Sequence, residues 1–267
     1  MRSFISTMSV QKDGSRPHET EDASAVLPDV ARDEEVEGQV LAAIADGASE
    51  SVLAGPWARL LAESFVHAAA TRPNTLRNRR TFGRAVLGVV HEWEDWLAGY
   101  VADREANDRP IRWYEQPGLD RGAYATLLAF QLAGTHGQRW YAAAMGDSCL
   151  FQVRDGALSR TFPLDSAEEF GTSPNLLNSR NTDEDLIAER VRLTQGSYRE
   201  GDQFFLATDA LAAWFLAEKE RDGAPWDVLR ELACSGTDED FADWVTKQRG
   251  NGDMRNDDVA LVHVDLG

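Results

Sequence analysis

The sequence has little cysteine and a deficit of basic charge, and each shortage excludes a class of protein. Cys149 and Cys234 are the only cysteines among 267 residues, so we expect neither a disulfide framework nor a thiolate zinc site. Lysine and arginine number 27 against 45 aspartate and glutamate residues, which gives a formal net charge of −18. A chain this acidic is not expected to bind nucleic acid or an anionic membrane surface in general.

Long hydrophobic runs are also missing. No apolar stretch approaches the roughly 20 residues that a membrane span requires, and residues 1–10 lack the basic and apolar regions of a signal peptide. We therefore expect a cytoplasmic protein, in which free thiols are normal. The hydrophobic fraction of 43% predicts a substantial core. Since no repeat or linker is visible, we expect a single domain over residues 1–267.

An apolar run that stops at a carboxylate is the most informative feature that is present. Residues 40–45 form a short apolar segment followed by Asp46 and Gly47, a pattern typical of a buried strand bounded by a turn. Aspartate is rarely buried unless it is paired or binds a metal. Taken alone, the segment is equally compatible with an exposed Asp-Gly turn.

Hydrophobic periodicity predicts strands at both ends and in the middle of the chain, with two groups of helices between them. Strands are expected at 3–11, 23–27, 40–45, 139–145, 149–153, 157–162, 190–198, 203–207 and 259–264. Helices are expected at 51–71, 75–106, 210–220, 226–233 and 238–248.

Four further segments are less regular. The acidic run 33–35 is expected to be a solvated hairpin loop, and residues 122–132 fit either a helix or a strand. The strands between 139 and 162, with a hairpin signal at 154–156, are expected to form a meander. Residues 165–189 are polar and predicted to be an irregular surface excursion.

Several carboxylates stand at the ends of predicted strands. They are Glu21, Asp22, Asp46, Asp147, Asp209 and Asp257. If these groups met without a cation they would repel one another. Since no matching lysine or arginine accompanies them, hard divalent ions that prefer oxygen ligands are indicated. Turns are rich in aspartate anyway, so the grouping by itself is only suggestive.

The same positions carry a resemblance to the metal-dependent protein phosphatases, the PPM or type 2C family. Its N-E-D-A, A-D-G, G-D-S, G-D-x-L-L-L-x-S-D-G-L and D-N-x-T-x elements resemble residues 20–23 (TEDA), 45–47 (ADG), 146–148 (GDS), 200–211 (EGDQFFLATDAL) and 256–261 (NDDVAL). The five elements follow in the family's order and span nearly the whole chain. The resemblance implies an α+β fold, a four-layer α-β-β-α sandwich of two antiparallel sheets flanked by helices.

The resemblance also implies a centre of two Mn²⁺ or Mg²⁺ ions. By position, Asp46 would bridge the two ions, while Glu21 and the Gly47 carbonyl would serve one of them. Asp209 and Asp257 would hold the other ion. Such a pair of ions makes hydroxide available from water near neutral pH, and this nucleophile would attack phosphorus in line.

Four further roles follow from the resemblance, and two of them meet departures from the family pattern. Asp22 would orient water at the ions, and Asp147 would bind a third, weaker ion. The family's phosphate-contacting arginine falls on Pro17 here, so the neighbouring Arg16 is the candidate. Ala48 follows Asp46 and Gly47 where relatives have His or Met, so this position cannot supply a leaving-group acid.

Two functional hypotheses remain open. The first is an active phosphoserine/phosphothreonine protein phosphatase with a phosphoprotein substrate and a cognate serine/threonine kinase as candidate partner. The second is a catalytically weak or inactive module of the same fold that binds a phosphoprotein or a regulatory partner. The retained carboxylates favour the first, and the displaced arginine together with a loose G-G-S-T-A match at residues 122–126 favours the second.

Overall fold

A computed structural model describes residues 2–32, 34–72, 74–133, 138–171 and 174–267. The strands in these ranges are β1 (Arg2–Val10), β2 (Asp22–Leu27), β3 (Glu35–Glu37), β4 (Val40–Asp46), β5 (Tyr124–Ala125), β6 (Leu127–Ala133), β7 (Arg139–Met145), β8 (Cys149–Arg154), β9 (Ala157–Phe162), β10 (Leu177–Asn178), β11 (Arg192–Ser197), β12 (Gln203–Ala207) and β13 (Val259–Asp265). The helices are α1 (Ala54–Thr71), α2 (Arg79–Ala106), α3 (Gln116–Arg121), α4 (Glu184–Arg190), α5 (Asp209–Glu220), α6 (Pro225–Ser235) and α7 (Asp238–Asn251).

Two antiparallel sheets form the centre of the molecule. The larger has six strands in the order β3-β1-β13-β12-β8-β9, and the other has five in the order β11-β7-β6-β4-β2. The short strands β5 and β10 pair separately. Both sheets combine strands from distant parts of the sequence, since β1 pairs with β13 and β4 with β6.

Three apolar layers separate the four layers of secondary structure. One lies between the five-stranded sheet and α1 and α2, one between the two sheets, and one between the six-stranded sheet and the helices α5 to α7. The sequence of β4 is apolar without alternation because both faces of the strand are buried. Ala42 and Ile44 face the inter-sheet layer, while Ala43 and Ala45 face the helices. The predicted α+β four-layer sandwich is therefore confirmed. That the chain forms a single domain stays a prediction.

The acidic run and the meander were predicted wrongly. Glu35 belongs to β3, which pairs with the edge of β1 at Phe4, whereas Asp33 lies outside the described residues. Strands β7 and β8 lie in different sheets, because the chain crosses between the layers at Gly146, whose φ is +110°. The hairpin between β8 and β9 is confirmed, with positive φ at Asp155 and Gly156 as a two-residue turn between strands requires.

The segment 165–189 is more ordered than its polar composition indicates. It contains the helix α4, which packs on α2, and the strand β10, whose Leu177 is buried. Residues 172 and 173 of this segment lie outside the described ranges. Residues 122–132, for which helix and strand were both open, form β5 and part of β6. The helix α3 was missed, since six residues are too short to show a helical period.

No helix within the described ranges is long and apolar enough to cross a bilayer.

A buried histidine lies on the outer side of the six-stranded sheet. The His263 side chain is 1% exposed, its ring stacks on Phe205 at 4.6 Å between centroids, and its Nε2 atom has no hydrogen-bond partner among the described residues. Burial, with a smaller contribution from the charge of Arg230, lowers the pKa of His263 from 6.5 to about 3. The ring is therefore neutral in the folded protein near neutral pH.

We expect His263→Phe to make the free energy of unfolding less dependent on pH. Between pH 6.5 and 3 the unfolded chain binds a proton at His263 and the folded chain does not, so this group reduces stability as the pH falls. At pH 5 the reduction from this residue is about 2 kcal/mol. Urea unfolding at pH 7 and pH 5 measures how much the free energy of unfolding changes with pH in each protein. The control is His67→Gln, which replaces an exposed histidine. Equal pH slopes in the wild type and His263→Phe would contradict the expectation.

Candidate metal centre

The candidate site begins with the pairing of β2 and β4. Their register places Asp22 opposite Asp46, so these two acids meet at one edge of the sheet. Asp22 is 5% exposed and its Oδ2 atom has no hydrogen-bond partner among the described residues. Two adjacent carboxylates, one of them deeply buried, thus form the floor of the site.

The backbone of Asp46 is fixed by Thr126. The Asp46 N–H donates to Thr126 Oγ1 at 3.0 Å, and the Thr126 N–H donates to the Asp46 carbonyl at 2.8 Å. Thr126 Oγ1 also lies 2.9 Å from Ser148 Oγ. Thr126 and Ser148 were missed as functional residues, although both stand in segments already noticed for their motifs. Their hydroxyls hold the end of β4 in place while leaving the Asp46 carboxylate free.

Gly47 lies where no side chain would fit. A Cβ atom there would be 2.8 Å from the Ala54 backbone carbon and 2.9 Å from the Glu21 carbonyl oxygen. The Gly47 N–H donates to that same Glu21 carbonyl at 3.1 Å. The glycine therefore lets the end of β4, the start of α1 and the segment before β2 approach one another.

Asp258 joins the remaining segments, and sequence reasoning gave it no role. Its Oδ1 accepts from the Lys12 N–H and its Oδ2 from the Glu21 N–H, each at 2.7 Å. The side chain is 4% exposed. Because one carboxylate binds both backbone groups, the segment before β13 is held to the segment after β1 and to the segment before β2.

A cleft of about 350 Å³ opens above these residues. Among the residues that line it are Asp46, Asp147, Asp209 and Asp257, so four of the carboxylates selected from the sequence converge. Gly47 and Ala48 also line it.

Burial and mutual repulsion disfavour the charged forms of these carboxyl groups. Burial is the largest cause that raises the pKa values of Asp22 and Asp46 well above the usual range, and the charges of neighbouring aspartates add to it. Burial, with the charge of Asp209, raises the pKa of Asp147 to about 6. The pKa of Asp209 is also raised by burial, which the charge of Arg255 partly opposes. Negative charge in the cluster is therefore compensated only in part.

Two of the expected ligands contact basic side chains. Arg255 Nη2 lies 2.7 Å from Asp209 Oδ2, and Lys12 Nζ lies 3.0 Å from Glu21 Oε2. Ser49 Oγ also donates to Glu21 Oε2. Consistent with these contacts, no group of three or more His, Cys, Asp or Glu side chains in the described parts of the chain already forms a metal-binding array.

The donor set nevertheless fits hard divalent cations. All the side chains concerned offer carboxylate oxygens, which Mg²⁺ and Mn²⁺ prefer, and the buried Oδ2 atom of Asp22 has no hydrogen-bond partner among the described residues. A divalent cation would favour ionisation of these groups and remove their repulsion. The metal-binding roles of Glu21, Asp22, Asp46, Gly47, Asp147, Asp209 and Asp257 stay predictions.

Arg16 is not among the residues that line the cleft. It is exposed and precedes a 3-10 turn at Pro17–Glu19, where its N–H donates to Glu19 Oε2 at 2.7 Å. Arg255 is the arginine that lines the cleft instead. Sequence reasoning missed Arg255, although it directly precedes the motif at residues 256–261.

Comparisons with known proteins agree with this fold. The family model for protein phosphatase 2C matches residues 21–248. The catalytic domain of the serine/threonine phosphatase PstP, solved in complex with two manganese ions, is similar at a TM-score of 0.54 and 18% identity, covering 99% of this chain and 98% of that one. A search among curated proteins gives no significant match.

Two further solved structures resemble the chain over almost their whole length. RsbX, solved in complex with magnesium, has a TM-score of 0.52 and 13% identity, with 100% of this chain and 96% of RsbX covered. A bacterial serine phosphatase has a TM-score of 0.59 and 13% identity, with 98% and 97% covered. The family match spans most of the sequence, and the chain belongs to the protein phosphatase 2C family.

We expect Gly47→Ala to lower the free energy of unfolding by about 1–3 kcal/mol, because the added methyl group would overlap backbone atoms that cannot move independently. Gly88→Ala is the matched control, since a Cβ atom at Gly88 in α2 has no neighbour within 4 Å. The control should gain about 0.5–1 kcal/mol from helix propensity. Urea unfolding of both variants decides the matter, and a Gly47→Ala protein as stable as the wild type would refute the packing argument.

Proposed function

We propose that the protein is a phosphoserine/phosphothreonine protein phosphatase that depends on two Mn²⁺ or Mg²⁺ ions. The observation that carries the proposal is the convergence of four aspartates in one cleft, one of which, Asp46, lies opposite the buried Asp22. Such a cluster is costly for stability unless it binds cations. Because the chain belongs to the phosphatase family, the reaction that such cations would serve is phosphate hydrolysis.

The choice of metal is supported by the solved relatives. PstP was solved with two manganese ions and RsbX with magnesium, and the oxygen-only donor set of this chain suits both. Asp46 would contact both ions, with Glu21 and the Gly47 carbonyl on one side and Asp209 and Asp257 on the other. Asp147, at the cleft wall, would serve a weaker third ion.

When bound, the cations would supply two things: water that ionises near neutral pH and compensation of charge on the phosphoryl oxygens. The chain's own residues do the rest. Thr126 and Ser148 hold Asp46 in position, and Asp22 presents an unpartnered oxygen that can accept a hydrogen bond from the attacking water. Attack on phosphorus in line breaks the bond to the serine or threonine oxygen, and the departing oxygen takes its proton from water, since Ala48 offers none.

A second function remains a candidate because of one observation. Asp209 and Glu21 each contact a basic side chain, and this arrangement also suits a module that binds a phosphoprotein without hydrolysing it. Turnover of a phosphopeptide by metal-loaded protein excludes that alternative. A phosphoprotein is the substrate under the first hypothesis, with a cognate serine/threonine kinase as a proposed partner and the cytoplasm as the proposed location.

We expect hydrolysis of p-nitrophenyl phosphate and of a phosphothreonine peptide to require Mn²⁺ or Mg²⁺ and to stop on addition of a chelator. Asp46→Asn and Asp209→Asn should each lower kcat by a factor on the order of a hundred or more, because each removes charge at the reacting centre. Initial-rate measurements across a Mn²⁺ titration provide the test.

Exposed Asp243 on α7 supplies the control, and Asp243→Asn should retain wild-type rates and metal dependence. Mn²⁺ should also raise the unfolding midpoint of the wild type, because a ligand that binds the folded state stabilises it. Asp46→Asn should abolish that shift. Hydrolysis that persists in excess chelator, or that survives Asp46→Asn, would refute the two-metal mechanism.

A further inference from the structure

Arg255 is a cationic group at the centre of an acidic cleft. Its Nη2 atom lies 2.7 Å from Asp209 Oδ2, the Arg255 side chain is 50% exposed, and the Asp209 side chain is 15% exposed. It is the single arginine or lysine among the described residues that line the cleft. One end of the guanidinium is therefore held by Asp209 while much of the side chain faces open solvent.

The backbone around Arg255 is firmly anchored. Met254 is 6% exposed and Asp258 4% exposed, so Arg255 lies between two buried neighbours. Arg249 binds the Asp257 carbonyl through Nη2 at 2.5 Å, and Asn256 Oδ1 accepts from the Asp13 N–H at 2.8 Å. Because the loop is fixed at four points, the long Arg255 side chain can change partner without movement of the chain.

Arg16 and Lys12 are less suited than Arg255 to contact a substrate. Arg16 does not line the cleft and follows the polar loop before the 3-10 turn. Lys12 is 30% exposed and is occupied by Glu21 Oε2 and Ser49 Oγ, at 3.0 and 3.1 Å. A phosphoryl group entering the cleft would meet Arg255 first.

We propose that Arg255 is the residue that positions the substrate phosphate in this protein, and that its ion pair with Asp209 is exchanged for the phosphate when a divalent cation occupies Asp209. The inference rests on the proposed function. It replaces Arg16, which sequence reasoning put forward for this role.

The exchange follows from charge and geometry. A doubly charged cation attracts the Asp209 carboxylate more strongly than a partly exposed guanidinium does, so cation binding leaves Arg255 without its partner. A guanidinium presents parallel N–H donors that match two phosphoryl oxygens. The same arginine thus competes with the cation in the empty site and binds the phosphate in the loaded one.

The test compares Arg255→Gln, Arg255→Lys and Arg16→Gln with the wild type. For Arg255→Gln we expect KM for the phosphopeptide and Kd for inorganic phosphate, measured by calorimetry on Mg²⁺-loaded protein, to rise about tenfold to a hundredfold, with a smaller change in kcat. For Arg255→Lys we expect KM and Kd values between those of the wild type and Arg255→Gln, because lysine keeps the charge and loses the paired donors. Arg16→Gln should stay within about twofold of the wild type.

A second measurement does not depend on turnover. Calorimetric titration with Mn²⁺ alone should show tighter binding to Arg255→Gln than to the wild type, by about twofold to fivefold, since the competing ion pair is gone. Arg221→Gln is the matched control, because Arg221 is an exposed arginine in a 2.7 Å ion pair with Glu218 away from the cleft. It should change neither the Mn²⁺ nor the phosphate affinity.

The outcomes separate the two proposals. A wild type that binds Mn²⁺ and phosphate without hydrolysing any phosphopeptide refutes the proposed enzyme, while the Arg255 variants still test phosphate positioning by calorimetry. Unchanged phosphate affinity in Arg255→Gln, or a large loss in Arg16→Gln, overturns the role of Arg255. Weaker Mn²⁺ binding in Arg255→Gln overturns the exchange, because it would mean that the arginine supports the metal site.

Discussion

The antiparallel register that places Asp22 opposite Asp46 is the constraint on which the site depends. It brings two carboxylates together at the edge of the five-stranded sheet, in a place where burial already opposes charge. The surrounding structure is arranged around this pair: Thr126 holds the backbone of Asp46, and Gly47 permits close approach of the start of α1. A cluster of this kind is unfavourable by itself, and cations are what its chemistry calls for.

The two basic side chains at the cluster differ in what they can do. Lys12 is bound by both Glu21 and Ser49, and it stabilises the end of β1 against the start of β2. Arg255 makes one exposed contact, with Asp209, from a loop whose backbone is anchored by Arg249 and Asn256. A backbone held in this way keeps the position of the Arg255 side chain defined while the guanidinium stays accessible.

Much of this protein could be predicted from short patterns. Apolar strands, turn residues and long amphipathic helices leave local signals, and for that reason β4, β12 and α2 were found within a few residues of their ends. The sheet switch between β7 and β8 could not be found this way, because a turn at Gly146 looks the same whether the next strand pairs with the last or crosses to another layer. The helix α4 was hidden for a similar reason: its packing partner, α2, is about a hundred residues away.

The order of the carboxylate motifs along the chain, the fold class they accompany and the absence of a thiolate metal site were determined by the sequence alone, since each depends on residue type and local spacing. The tertiary structure decided which groups meet. It brought Asp147, Asp209 and Asp257 to the cleft with Asp46, gave Asp258 a role in joining three segments, and placed Arg255, not Arg16, among the residues that line the cleft. Those outcomes depend on strand pairing between residues more than 200 positions apart, and a contact over that separation leaves no local pattern in the sequence.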